Sequence, residues 1–209
     1  MMPKSTIYFV SSLNGSDEND GLSENTAFKS LKKINELSLM PGDKVMLVRG
    51  SVFENEFLHI KNCGDINGDL IEIAAWGDGD LPKINANGNG IWHQDYGTEL
   101  DFKGHRYKGD VSSAILLYDV ENILINNIEI TNKEEFTDLE SYCAPDKIDR
   151  TGVAAVAQNR GTLHSITLKN LFIHDVNGNV YNKHMNNGGI YMTAFKPDNE
   201  AKTGVARYD

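Results

Sequence analysis

Apolar residues recur along this chain in short alternating runs, and one such pattern occurs twice. Residues 120–130 are matched by residues 163–173: Val120 falls on Leu163, Ile123 on Ile166, Ile125 on Leu168, Ile128 on Leu171 and Ile130 on Ile173, at a constant offset of 43 residues, with Asn127 on Asn170. Each copy holds two alternating runs, and alternation with period two marks a β-strand. The polar step between the runs, Asn126-Asn127 or Lys169-Asn170, lacks the following glycine that hairpin turns favour, so it predicts a bend rather than a reversal. Strand, Asn bend, strand, with apolar residues on one side, is how a chain wraps once around a solenoid and stacks the next wrap upon it.

The rest of the chain extends the pattern. Ile7-Tyr8-Phe9-Val10 predicts a first strand, and Phe28, Leu31, Ile34 and Leu37 recur at helical spacing behind Thr26, a candidate N-cap. Pro41-Gly42-Asp43 ends that helix. Short strands follow at 45–48, 57–60, 70–73 and 83–84, then at 114–117, 123–125 and 128–130, at 152–157, 166–168 and 171–173, and from 189 onward. One helix ahead of many strands suits a cap that covers the first open edge of a solenoid. The loop from Asn14 to Gly21 is rich in Asp and Asn, which suits a polar turn; a calcium loop of the EF-hand kind would need a downstream Glu and flanking helices.

Ile7-Tyr8-Phe9-Val10 with Asn14-Gly15-Ser16-Asp17, the helix, Pro41-Gly42-Asp43-Lys44-Val45 and the Ile-x-Ile-x-Asn rungs together resemble the right-handed parallel β-helix proteins of the pectate-lyase-like superfamily, in its carbohydrate-active branch. The resemblance implies an all-β, right-handed parallel β-helix with an N-terminal capping strand and short amphipathic helix. It implies a single domain, with a cap over 1–44, coils over 45–209 and insertions near 88–110, 133–151 and 174–188. The sequence stops just into another coil, so the expectation is the N-terminal portion of a longer protein, whose uncapped end invites self-association. The superfamily includes glycoside hydrolases, polysaccharide lyases, epimerases and non-catalytic surface proteins, so the resemblance is more specific for fold than for reaction.

Composition narrows the partners. With 40% apolar residues the 209-residue chain can bury a sizeable core, and its 19 glycines fit a turn-rich β protein. A formal charge of −10 repels phosphate backbones and argues against nucleic acid. No run reaches membrane length and none forms a signal-peptide core, which makes the chain cytoplasmic as given, or secreted if a leader was removed. Cys63 and Cys143 have no metal-type spacing and are expected as buried or idle thiols, with a disulfide as the alternative.

Long loops on a repetitive scaffold carry function. The stretch from His174 to Gly188 holds the densest set of chemically able groups: Asp175, Lys183 and His184 are the catalytic candidates, and His174 and Asn186, with Tyr191 in the strand that follows, are candidates for substrate binding. His174 and Asp175 read equally well as a turn leaving a strand. Trp92, His93 and Tyr96 in the earlier insertion form a candidate wall for stacking and hydrogen-bonding sugar; the alternative is plain packing. Glycoside hydrolysis uses two carboxyl groups flanking the bond, and no pair is marked in the sequence. A lyase would instead use calcium and a basic residue such as Lys183 or Arg160; otherwise no cofactor or metal is expected. The best reading is degradation of a poly- or oligosaccharide, by a glycoside hydrolase ahead of a polysaccharide lyase, with a non-catalytic glycan-binding or surface β-helix as the third possibility.

Overall fold

A computed structural model describes residues 5–95, 108–133, 148–178 and 187–209. Three parallel sheets dominate. The first holds β1 (Ile7–Val10), β2 (Lys44–Val48), β5 (Ile71–Trp76), β9 (Ile123–Asn126) and β13 (Ile166–Lys169), side by side in that order. The second holds β3 (Val52–Glu54), β6 (Lys83–Asn85), β10 (Glu129–Asn132) and β14 (Phe172–Val176), and the third holds β4 (Leu58–Lys61), β8 (Lys108–Tyr118), β11 (Asp149–Ala157) and β15 (Gly188–Ala194). From β2 onward the chain visits the sheets in a fixed cycle, first, second, third, and each return adds one parallel strand to every sheet. No sheet closes on itself among the described residues.

The alternation seen in the sequence is what the core needs. Val45, Ile73, Ile125 and Leu168 stand in one column of the first sheet, Phe53, Ile84, Ile130 and Ile173 in one of the second, and Leu58, Ile115, Val153 and Ile190 in one of the third. The inward members of the middle circuits are fully buried and belong to a single apolar cluster. Burying each such aliphatic side chain is worth about 1.5–3 kcal/mol. The 43-residue repeat is the sheet register itself, since Ile123 pairs Ile166 and Ile130 pairs Ile173. Its Asn step is a bend made by one left-handed residue, Asn127 at φ 58° and Asn170 at φ 50°. Asn tolerates this conformation better than other side chains.

The N-terminal segment departs from the predicted helix. Thr26 closes a 3-10 turn (Glu24–Thr26) capped by Ser23, whose Oγ accepts the Thr26 N–H. Phe28 then bridges Val10 in extended form, and helix α1 covers only Lys32–Asn35. The reason is competition for backbone donors: the Lys29 and Ser30 N–H groups go to the Asp17 carboxylate at 2.9 Å each, and that of Leu31 goes to Glu56 at 2.7 Å. Phe28, Leu31 and Ile34 are nevertheless buried as their spacing predicts, and α1 packs on β4. Strand β3 was not anticipated, because it is three residues long with one inward residue, Phe53.

Candidate functional site

All three long insertions leave the second sheet and return to the third. They fall after β6, after β10 and after β14, so the cyclic order of the sheets stacks their roots at one corner of three successive circuits. In the first of them, β7 (Ile91–Asp95) runs antiparallel along the first half of β8, an orientation found in no other strand pair described.

The floor of the corner is polar and buried. Asn132, fully buried at the end of β10, donates through Nδ2 to the Ser112 and Thr151 carbonyls at 3.1 and 3.0 Å, and its Oδ1 accepts the Gly88 N–H at 2.9 Å. One side chain thus ties two strands of the third sheet to the turn after β6. Beside it Arg150 donates through Nη1 to the Lys133 carbonyl at 2.6 Å, while its own N–H is accepted by Asn187 Oδ1 at 2.7 Å. Gly88 suits this place: at φ 82° an L side chain would be strained, and a Cβ would lie 2.6 Å from the guanidinium, which would have to shift. Asp149 and Gln94 are buried nearby in β11 and β7.

Trp92 is packed rather than presented. It is 7% exposed, its Nε1 donates to Ser113 Oγ at 2.7 Å, and its ring joins Val111, Leu116 and Phe195 in a second apolar cluster outside the main core. Its burial and the bond to Ser113 fit the packing alternative. Tyr191 on β15 packs partly against the same cluster. His93 points the other way, with Nδ1 at 3.1 Å from Asp110 on an exposed surface.

His174 and Asp175 lie within β14 and not in a loop beyond it, which corrects the boundary expected from the sequence. The strand runs on because its pairing with β10 continues past a register shift, from Ile130↔Ile173 to Asn132↔Val176, and Asp175 at φ 48° takes up the extra residue. The shift brings two sequence candidates together with two residues that were not singled out. His174 places Nε2 3.0 Å from Glu129 Oε1 and Nδ1 2.9 Å from Asp175 Oδ2; Lys83 Nζ is 3.0 Å from the same Glu129 oxygen. Phe172 stacks on the imidazole with centroids 4.3 Å apart. Burial acts to raise the Glu129 pKa, but hydrogen bonds from His174 and Lys83 and the charges of both outweigh it and hold the carboxyl below its ordinary value. A histidine between two carboxylates can hold one of them in place while it exchanges a proton with the other. The signal for Glu129 was present in the repeat, as the outward residue between Ile128 and Ile130, but nothing local marked Lys83 as its partner.

Tyr96, Lys183, His184 and Asn186 lie outside the described residues, as does Cys143. The pair His174 and Asp175 stands on the second sheet, and Trp92, His93 and Tyr191 on strands of the third, so the structure divides the remaining candidates into two places. Among the described residues no group of three His, Cys, Asp or Glu is placed to hold a metal ion, and no helix is long and apolar enough to cross a membrane.

No protein-family model matches the chain. A lacto-N-biosidase of Bifidobacterium longum subsp. longum is 42% identical over 224 aligned positions, which cover 96% of this chain and 14% of that protein. Two crystal structures of GH136 lacto-N-biosidase from Eubacterium ramulus, native and selenomethionine, superpose with a TM-score of 0.88 at 57% identity, covering 97% of this chain and 32% of theirs. The chain therefore spans about a third of the solved relative's length and about a seventh of the curated one's. Over nearly its whole length it is homologous to part of the GH136 lacto-N-biosidases, which are carbohydrate-active glycoside hydrolases.

Proposed function

We propose that this chain forms part of a glycoside hydrolase acting on oligosaccharides, and that its three cycling sheets are a right-handed parallel β-helix of the pectate-lyase-like kind. The observation that carries the reading is the 57% identity, over 97% of the chain, to a lacto-N-biosidase. On this reading residues 1–44 cap the helix, the coils occupy 45–209, and the insertions that follow β6, β10 and β14 frame the substrate side. The shared corner of the insertion roots supports that placement. Homology to biosidases favours hydrolysis over elimination, so calcium has no part in the reading.

Hydrolysis needs one carboxyl to protonate the leaving oxygen and a second to act as base or nucleophile. Asp175 is the catalytic candidate among the described residues, with His174 holding its carboxylate at 2.9 Å. Glu129, tied to both His174 and Lys83, is kept ionised and suits the role of orienter better than that of acid. Lys183 and His184 are the further candidates for proton transfer, and His93, Tyr96, Asn186 and Tyr191 those for binding sugar hydroxyls.

The test places this chain in its larger context. The Eubacterium ramulus lacto-N-biosidase, with its matching segment replaced by this chain, is assayed for release of the disaccharide from a lacto-N-biosyl oligosaccharide. Hydrolysis is expected, and Asp175→Asn should lower kcat by about a hundredfold or more. An unsaturated product would convert the reading to a lyase. A folded chimera that binds the oligosaccharide and leaves it intact would reduce the chain to a glycan-binding module.

A further inference from the structure

Two strand edges in this fold are closed by short pieces of chain. Phe28 closes β1: its C=O accepts the Ser11 N–H at 2.8 Å, and its own N–H donates to the Phe9 C=O at 2.9 Å. The short β12 (Thr162–Leu163) has an equally short parallel partner, β16 (Arg207–Tyr208). The edge of β4 is closed in part. It has β8 on one side and α1 on the other, where the Asn35 carboxamide bonds the Phe57 C=O and the His59 N–H. In a parallel strand the N–H and C=O groups of alternate residues point to the same side. Even-numbered residues here turn theirs to β8, as the bond from the Asn62 N–H to the Tyr118 C=O at 2.9 Å shows. The His59 C=O and the Lys61 N–H therefore face outward next to Asn35, and among the described residues neither has a hydrogen-bond partner.

This pair opens on a cavity of about 490 Å³ between β4 and the chain leaving α1. Leu37 and Ser38 wall it on the helix side, Phe57 and His59 on the strand side, and Glu36 and Lys61 bring one charge of each sign. His59 is fixed by the bond from Nε2 to the Ser113 C=O, and burial pushes its pKa down to about 4, so the ring is uncharged at neutral pH. The cavity thus suits a neutral occupant. By the two-residue period of the strand, the open pair repeats the spacing that the Asn35 carboxamide already fits. The occupant must offer a donor and an acceptor side by side, whereas a single trans peptide link holds them on opposite sides. A strand long enough to pair along β4 would have to displace Asn35. Vicinal hydroxyls of a pyranose meet the requirement, since each can donate or accept, and the CH face of the ring finds Phe57 and Leu37.

We propose that the open pair on β4 and the cavity it faces form a binding site for a neutral sugar ring, with one of two vicinal hydroxyls donating to the His59 C=O and the other accepting the Lys61 N–H. The choice of a sugar rests on the reading of the chain as part of an enzyme acting on oligosaccharides; the unpaired edge and the cavity stand without it. No residue of this site belongs to the three insertions, so it is a second place for glycan on the same chain and not a part of the corner described above.

Hydrogen exchange of the Lys61 amide in the full-length Eubacterium ramulus chimera tests it, with methyl β-galactoside in excess and its 3-deoxy analogue as the control lacking the diol. The amide should exchange fast in the free protein and about threefold or more slowly with the galactoside, and the 3-deoxy analogue should leave it unchanged. Ser38→Trp, or the smaller Ser38→Leu, fills the cavity from the exposed side of the chain leaving α1 and should abolish the protection at an unchanged Tm. An amide already slow in the free protein would overturn the proposal, because the group would then have a partner in the fold. Equal protection by the two sugars, no protection by either, or protection that survives both Ser38 variants would overturn it as well. Hydrolysis by the chimera is read separately: protection without hydrolysis upholds this site and defeats the proposed function, and hydrolysis without protection does the reverse.

Discussion

Asn35 and His59 are joined as two neighbouring strands would be. Asn35 Oδ1 accepts the His59 N–H at 2.7 Å, and its Nδ2 donates to the Phe57 carbonyl at 2.9 Å, so one side-chain amide copies both backbone bonds that a further strand would give β4. An edge strand left bare is a template for unwanted pairing, and a single helical residue blocks it here.

Asn35→Leu removes both bonds and leaves a partly buried N–H and C=O unpaired. The expected cost is about 1–3 kcal/mol, seen as a lower urea midpoint at unchanged slope, with faster exchange of the His59 amide. A midpoint equal to that of the unaltered protein would show that α1 covers β4 by packing alone.

The bend at Asn127 makes a second test. Its φ of 58° suits Asn or Gly and penalises other side chains. Asn127→Ala should therefore destabilise by about 1 kcal/mol while Asn127→Gly stays close to neutral. If Ala and Gly behave alike, the bend is not held by backbone conformation.

His59 predicts a pH dependence. Burial pushes its pKa down from 6.5 to about 4, against the hydrogen bond to the Ser113 carbonyl, which as an acceptor requires the hydrogen on Nε2. Because the unfolded chain takes the proton first, the stability is fully present above pH 6.5 and is lost as pH falls towards 4, with a slope of at most about 1.4 kcal/mol per pH unit. A melting series across this window should flatten in His59→Phe relative to the unaltered protein. A wild-type series with no slope there would refute the assignment.

Glu129 acts in a lower window. Hydrogen bonds from His174 and Lys83 prevail over burial and hold its pKa below 4.5, so its contribution is present above that value and lost as pH falls through the depressed one. Glu129→Gln should shrink the acid-induced loss of stability below pH 4.5, measured by far-UV circular dichroism, and leave the His59 slope untouched. Identical acid limbs in the two proteins would remove Glu129 from the balance.

Cys63 should be chemically quiet. Its thiol is buried, and burial pushes its pKa up to about 11 although the nearby Arg160 charge opposes the shift. At neutral pH it should react with a thiol reagent far more slowly in the native protein than in urea, followed peptide by peptide so that Cys143 is scored separately. Rapid native labelling of Cys63 would contradict its burial.

Read by itself, the sequence determined the circuits. Whether a residue points in or out depends on the strand's own two-residue period, so Ile123, Ile125, Ile128 and Ile130 declared the core face, and the 43-residue repeat declared the register with Ile166 to Ile173. The tertiary structure alone decided the extent of α1, the antiparallel course of β7, the burial of Trp92 and the company of His174. Each depends on atoms far apart in sequence: Asp17 and Glu56 drew donors from the predicted helix, Ser113 took the indole N–H, and a one-residue shift against β10 kept His174 and Asp175 in the strand. Neighbours along a stack come from different circuits of unequal length. The meeting of Lys83, Glu129 and His174 was therefore settled by which strands lie side by side, and no local pattern could specify it.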